Sequence, residues 1–161
     1  MKVRFELYRG REEFTEDALA EAIEKNLQFV HELCESDEIE GAISIDGQLV
    51  IDDLSSAVQR LCFECVPILC EPGAAYGYTY FTAAARLDLT STEATVAISG
   101  DYLANAEYPR RDLLRSLYEC GIRYLAFIER LGAMGWSGAE GELAHLRRFA
   151  NEAHAALATL K

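Results

Sequence analysis

The sequence predicts a single α+β domain, an antiparallel sheet of about five strands with four helices packed on it, in the order β-α-β-β-α-β-β-α-α. Three observations predict this class. The chain has 161 residues, which suits one domain spanning 1–161. Half of the residues are hydrophobic and only three are proline, so a core can form without a metal or a disulfide. Segments that alternate apolar and polar residues are interspersed with segments of helical periodicity.

The first strand is expected at residues 2–8, where every second side chain is apolar. A long helix is expected at residues 17–35, because its apolar residues recur at helical spacing and Thr15 stands where a capping side chain belongs.

A hairpin is predicted at residues 42–51. Its turn is Asp46-Gly47, a pair that readily adopts the two positive φ angles of a tight primed turn. Further along the chain, residues 76–89 and 94–99 are expected to form another antiparallel pair of strands.

Between these strand pairs lies a central helix that Asp52 or Asp53 caps and that ends at residues 71–73. Its second half is apolar on nearly every side, which predicts burial. Pro67 is expected to kink it, because the ring lacks an amide hydrogen and crowds the preceding turn.

Two helices complete the chain. One is predicted at residues 109–131, opened by Pro109. The other begins with a capping box formed by Ser137 and Glu140, and it carries an apolar stripe along residues 143–157.

The net charge is −12, and the sequence pI is about 4.6. Such a balance argues against nucleic acid or an anionic membrane as a partner and leaves a basic protein open. The N-terminus lacks the apolar segment of a secretory signal, and no apolar run is long enough to span a membrane, so we expect a cytoplasmic protein.

The charge is concentrated in one part of the chain. Residues 1–101 contain 20 acidic and 7 basic residues, a net charge of −13, whereas residues 102–161 have a net charge of +1. Five acids fall within nine residues at the end of the first helix: Glu32, Glu35, Asp37, Glu38 and Glu40. They form either a solubilising surface or a patch that steers and holds a cationic partner.

Three tyrosines, Tyr76, Tyr78 and Tyr80, project from one face of a predicted strand. Tyrosines on a half-exposed face are favoured in interfaces, which makes these three candidate partner contacts. The alternative is that they pack under a neighbouring helix.

No catalytic, metal-binding or cofactor-binding motif is found. Cys62 and Cys65 lie in the middle of a helix on an apolar stripe, which predicts reduced core thiols rather than a redox or zinc pair. Glu142 and His145 have the spacing of half a di-iron ligand set, but the second half is missing. We therefore expect no metal, no cofactor and no enzymatic activity.

A stretch of the second half is similar to segments of small bacterial domains. It comprises Ile98-Ser99-Gly100-Asp101, Tyr108-Pro109 and Leu113-Leu114-x-x-Leu117-Tyr118-x-Cys120-Gly121-x-Arg123-Tyr124. With its acidic composition, the chain resembles the immunity proteins of bacterial polymorphic and contact-dependent toxin systems. The resemblance implies tight binding to a cognate toxin domain, often a basic nuclease, and it carries over no individual functional residue.

The leading hypothesis is therefore a non-enzymatic acidic protein that neutralises a basic protein partner. A second hypothesis is a small enzyme whose site is built from dispersed carboxylates and a histidine in a cleft. A third is a structural or regulatory homo-oligomer, which a large exposed apolar patch would indicate.

Overall fold

The computed structural model describes residues 1–36 and 39–160, and it confirms the α+β class. In this part of the chain the strands form two antiparallel sheets of four strands each, instead of one sheet of about five. The first sheet has β1 (Val3–Arg9), β2 (Glu12–Thr15), β3 (Glu40–Ile45) and β4 (Gln48–Asp53), in the spatial order β2-β1-β3-β4. The second has β5 (Ala75–Thr79), β6 (Arg86–Ser91), β7 (Thr95–Gly100) and β8 (Ala106–Pro109), in sequential order.

The helices are α1 (Glu16–Glu24), α2 (Gln28–Cys34), α3 (Leu54–Ala57), a π-helical segment (Val58–Glu64), α4 (Cys65–Leu69), α5 (Arg110–Ala133) and α6 (Ala139–Thr159). We call the continuous run of α3, the π-helical segment and α4 the central helix. No helix in the described residues is both long enough and apolar enough to cross a membrane.

The prediction of one helix at residues 17–35 is wrong, because the structure has two helices there, α1 and α2. Asn26 has a φ of 51°, the left-handed conformation that commonly follows a helix end. The Leu27 amide donates to the Ala22 carbonyl at 3.0 Å and the Asn26 amide to Ile23 at 3.1 Å, which ends α1 in a Schellman motif. Thr15 is confirmed as the cap of α1, since its Oγ1 accepts a hydrogen bond from the Ala18 amide at 3.4 Å.

The order of elements also differs from the prediction in the sheets. The single strand expected at residues 76–89 is divided into β5 and β6 by a loop, residues 80–85, in which the Tyr80 amide donates to the Ala85 carbonyl at 3.1 Å. The short strands β2 and β8 were not expected. Each has only four residues, too few to show a clear alternation.

The hairpin prediction is confirmed. Asp46 and Gly47 have φ angles of 48° and 88°, and their two-residue turn closes the pair Ile45↔Gln48 between β3 and β4. The residue that follows this hairpin as the helix cap is Asp53, whose Oδ1 accepts a hydrogen bond from the Ser56 amide at 2.8 Å.

The central helix is buried, as its composition predicts. Cys62, Phe63 and Cys65 have no exposed surface. The kink expected at Pro67 stays a prediction, and what the structure has in the turns before this residue is the π-helical segment. Across from this segment stands Gly121 of α5, where an added Cβ would lie 2.5 Å from the Phe63 ring. Close contact between the two helices therefore depends on this glycine.

Helix α5 packs against β1 of the first sheet and against β7 and β8 of the second, so it joins both sheets to one core. It begins one residue later than predicted, because Pro109 is the cap residue and not the first residue of the helix. The capping box predicted for α6 is wrong, because Gly138 is the cap residue and no side chain satisfies that end.

Candidate functional site

Asp52, the next-to-last residue of β4, is a buried carboxylate that connects the two sheets. Its Oδ2 accepts hydrogen bonds from the Tyr78 hydroxyl at 2.5 Å and from the Phe81 amide at 2.8 Å. Its Oδ1 accepts from the amide and the hydroxyl of Thr82, at 2.8 and 2.9 Å. Asp52 is only 1% exposed, and its carboxylate accepts hydrogen bonds from four donors in place of water.

These bonds set the electrostatics of the position. Burial alone would raise the pKa of Asp52, but the hydrogen bonds from Tyr78, Phe81 and Thr82 outweigh it and hold the pKa below its ordinary value. The carboxylate is thus ionised and fully bonded, which indicates a structural role. It fixes the loop at residues 80–85 against the end of the first sheet.

The loop and the sheet enclose a cavity of about 470 Å³, lined by Ser36, Glu40, Asp53, Phe81 and Thr82. We call it the Phe81 cavity. Glu40 of β3 is the direct cross-strand partner of Asp53 of β4, so two carboxylates stand side by side on one face of the sheet. Like charges in this position repel each other and lower stability.

The acidic cluster predicted from the sequence is only partly gathered at this cavity. Glu40 lines it, and Glu35 is exposed at the nearby end of α2. Glu32 forms an ion pair with Arg9, so part of its charge is neutralised within the molecule. Asp37 and Glu38 lie outside the described residues.

The prediction that the three tyrosines lie on a half-exposed face is wrong for Tyr78 and Tyr80. Tyr78 has no exposed surface and Tyr80 is 5% exposed. Tyr78 packs under the guanidinium of Arg60, 4.6 Å from its ring centre, and it is bonded to Asp52. Tyr76 is half-buried and its hydroxyl donates to Glu64 at 3.3 Å. The packing alternative therefore describes Tyr78 and Tyr80.

The exposed aromatic residues are instead Phe81 and Tyr102, at 71% and 66%. The other large hydrophobic side chains that are exposed in the described residues reach at most 46%. Phe81 and Tyr102 lie on neighbouring loops, since the Tyr102 ring meets the Tyr80 ring edge-on at 5.7 Å. Neither residue was predicted from the sequence. A signal for Phe81 was present, because the three tyrosines occupy even-numbered positions of the predicted strand and Phe81, at an odd-numbered position, would point to the opposite face.

A second cavity, of about 300 Å³, lies where the central helix begins beside the first turn of α6. We call it the Trp136 cavity. It shares Asp53 with the Phe81 cavity. Its lining is mostly polar: Ile39, Asp53, Ser55, Ser56, Gln59, Trp136, Glu142 and His145. The cavity thus brings together two carboxylates and a histidine, the residue types named in the enzyme hypothesis.

Hydrogen bonds fix the orientation of His145 in this cavity. Gln59 Nε2 donates to Glu64 Oε1 at 2.6 Å, which leaves Gln59 Oε1 as the acceptor for His145 Nε2 at 2.7 Å. His145 therefore carries a proton on Nε2. Below them, the Ser55 and Tyr124 hydroxyls are hydrogen-bonded at 2.8 Å.

Another acidic group lies on the first sheet, on the face that bears Glu40. Burial raises the pKa of Glu6, and the neighbouring charge and hydrogen bond of Glu13 raise it further. Glu6 Oε2 is buried and has no hydrogen-bond partner among the described residues. Tyr8 lies beside both acids, and burial followed by their charges raises its pKa to about 12.

The cysteines behave as the sequence predicts. Cys62, Cys65 and Cys120 are fully buried, and burial is the main reason that the pKa values of the Cys62 and Cys65 thiols are raised. A raised pKa keeps a thiol protonated and unreactive. These residues are therefore part of the core.

The two cavities must be interpreted from their own chemistry. Comparisons of the chain with protein-family models, with curated proteins and with solved structures find no significant match.

Proposed function

We propose that the protein is a non-enzymatic binding protein that neutralises a basic protein partner, and that the Phe81 cavity and its rim are the contact surface. The observation that carries the proposal is the position of Phe81, 71% exposed beside the carboxylates of Glu40 and Asp53. An aromatic side chain next to anions suits an arginine or lysine of a partner, because the ring packs on the aliphatic part and the carboxylates bind the charge.

The pair of carboxylates supports this role. Glu40 and Asp53 face each other across β3 and β4, and no basic side chain among the described residues lines the cavity with them. A guanidinium placed between them relieves their repulsion and donates hydrogen bonds to both carboxylates. The stability lost in the free protein is then recovered in the complex.

The rigidity of the loop also supports binding. Asp52 holds the amides of Phe81 and Thr82, and Tyr80 supports Tyr102 from inside. A surface that is ordered before binding loses less conformational entropy when the partner docks. In this proposal Tyr78 and Tyr80 act from within the fold, while Phe81 and Tyr102 make the contacts.

The remaining acids act at longer range. Glu35, Asp37 and Glu38 belong to the same segment of the chain as Glu40, and we assign them to electrostatic steering of the partner. The resemblance to immunity proteins suggests the partner class, a basic toxin domain. His145, held by Gln59 through Nε2, is not needed as a base in this function.

A nona-arginine peptide labelled with a fluorophore is a suitable probe of the surface. The test variant combines Glu40→Gln, Asp53→Asn and Phe81→Ala, and asparagine retains the capping role of Asp53. The control combines Glu93→Gln, Glu152→Gln and Ile68→Ala, which removes the same charge and one exposed apolar side chain elsewhere. We expect the test variant to lose about tenfold or more in affinity by fluorescence anisotropy, while the control loses little.

Equal losses in the two variants would show that the peptide responds only to net charge and would refute the surface assignment. The partner class has its own test. If the product of a neighbouring toxin-like gene binds the wild-type protein and is inhibited by it, the test variant should inhibit it less than the control does.

A further inference from the structure

The Trp136 cavity combines negative charge, a π surface and an unfilled hydrogen-bonding position. It is lined by the carboxylates of Asp53 and Glu142, and no lysine or arginine of the described residues lines it. Glu142 Oε1 is buried and has no hydrogen-bond partner among the described residues. A buried carboxylate oxygen without a donor is unfavourable, so it marks a place that a ligand's N–H can fill.

The rest of the lining narrows the kind of ligand. Trp136 presents an indole ring, the aromatic side chain that attracts cations most strongly. Ser55 and Ser56 bring hydroxyl oxygens that can accept further hydrogen bonds. The volume of about 300 Å³ is at the lower end for ligand pockets and suits a group the size of one side chain.

From this lining we infer that the Trp136 cavity binds an organic cation, an alkylammonium or guanidinium group whose N–H atoms donate to Glu142 and Asp53 while its carbon chain lies on Trp136. The inference does not depend on the proposed function, because the Phe81 cavity is a separate opening that shares only Asp53 with this one. The cation is either a free amine or guanidine, or a lysine or arginine side chain of a bound protein.

The site contains its own reporter. Trp136 is the only tryptophan in the chain and lines both this cavity and a neighbouring one beside Arg147, so its fluorescence reports binding at either, and the Glu142 variant below assigns the signal to this cavity. The probes are butylguanidine and cadaverine, titrated at constant ionic strength, with 1,5-pentanediol as an uncharged compound of similar length. We expect a saturable fluorescence change with the two cations and none with the diol.

Glu142→Gln tests the anchor, and Glu152→Gln, an exposed acid on the same helix, is its control. Loss of a charge-assisted hydrogen bond should weaken butylguanidine binding about ten- to a hundredfold in the first variant and leave it unchanged in the second. Asp53→Asn is a second test variant, so the inference stays testable if Glu142→Gln fails to fold, which circular dichroism shows.

Two results would overturn the inference: the same fluorescence change with the diol or with sodium chloride, or equal affinities of Glu142→Gln and Glu152→Gln. The source of the cation is decided with nona-arginine. Competition between that peptide and butylguanidine, lost in Glu142→Gln, identifies a protein side chain, and absence of competition identifies a free amine or guanidine. Glu40→Gln with Phe81→Ala should leave butylguanidine binding intact, so failure of the proposed function is distinguishable from failure of this site.

Discussion

The Tyr78 hydroxyl of β5 donates a 2.5 Å hydrogen bond to the buried carboxylate of Asp52 in β4. Through this bond the second sheet is tied to the last strand of the first sheet, at the same carboxylate oxygen that accepts a hydrogen bond from the Phe81 amide. In the proposed function, the position of the contact surface therefore depends on Asp52, a residue that is only 1% exposed.

Replacing Asp52 with asparagine should destabilise the protein. The NH2 group that replaces one carboxylate oxygen in asparagine donates hydrogen bonds and cannot accept them, so either the pair Tyr78 and Phe81 or the two donors of Thr82 lose their acceptor. We expect the free energy of unfolding, measured by urea denaturation, to fall by about 2 to 4 kcal/mol. Asp53→Asn is the matched control and should lose no stability, because asparagine caps helices as well as aspartate does and the change also removes the repulsion with Glu40. Equal denaturation midpoints for the two variants would contradict the structural role of Asp52.

Glu40→Gln should stabilise the free protein and weaken its binding. The substitution removes one of two like charges that face each other across β3 and β4. Removal of such a pair is worth about 0.2 to 1 kcal/mol. We expect a higher thermal midpoint together with slower association with the nona-arginine probe, measured by stopped-flow fluorescence. Glu152→Gln should change neither quantity, and a Glu40→Gln variant without any gain in stability would show that the repulsion is already screened.

Glu6→Gln should stabilise the protein in a pH-dependent way. The pKa of Glu6 is raised in the folded state, first by burial and then by Glu13, so its favourable contribution is present below the unfolded pKa of about 4.3. That contribution is lost as the pH rises through the folded pKa, where the carboxylate becomes charged next to Glu13. Glutamine avoids this loss.

The variant should therefore exceed wild type by about a few tenths of a kcal/mol at pH 7 and match it at pH 3.5. Chemical denaturation at the two pH values measures the difference. An advantage that is the same at both would mean that the charge of Glu6 is not its origin. Asp52 shows the opposite sign, because its pKa is lowered in the folded state. Its contribution to stability is present above the pKa of the unfolded chain and is lost as the pH falls through the folded pKa.

Gly121→Ala should destabilise the core even though alanine favours helix. The new Cβ would lie 2.5 Å from the Phe63 ring and 2.9 Å from the Cβ of Cys62, so the helices must move apart. We expect a net loss of about 1 to 3 kcal/mol in the free energy of unfolding. Gly141→Ala in α6 meets no atom within 4 Å and should gain up to about 1 kcal/mol. If both substitutions stabilise, the close packing at Gly121 is not required.

Local signals were sufficient for some features of the fold. The turn at Asp46-Gly47 was predictable because its residues adopt positive φ angles, and a cap at Asp52 or Asp53 because a carboxylate there can reach the helix amides; the structure selects Asp53. Burial of Cys62 and Cys65 followed from their apolar surroundings. Each of these depends on residues close in the chain.

The features that the sequence did not predict depend on contacts between residues far apart in the chain. The strand expected at residues 76–89 divides in two where Asp52, far away in the chain, binds the amides of Phe81 and Thr82. For the site, Glu40 was predicted, but its pairing with Asp53 needs the register of two strands. The Trp136 cavity joins Asp53 to Glu142, and no periodicity relates residues so far apart.

The π-helical segment Val58–Glu64 sets the rotational phase of α4 relative to α3. An α-helix advances about 100° with each residue, whereas a π-helical turn takes up additional residues without the same rotation. If the same residues closed as an α-helix, each would advance the full turn, and the buried face of α4, which contains Cys65, Val66 and Leu69, would rotate away from the core. We therefore expect a one-residue deletion here, which removes the residue that the π-helical turn takes up, to be tolerated better than a one-residue insertion.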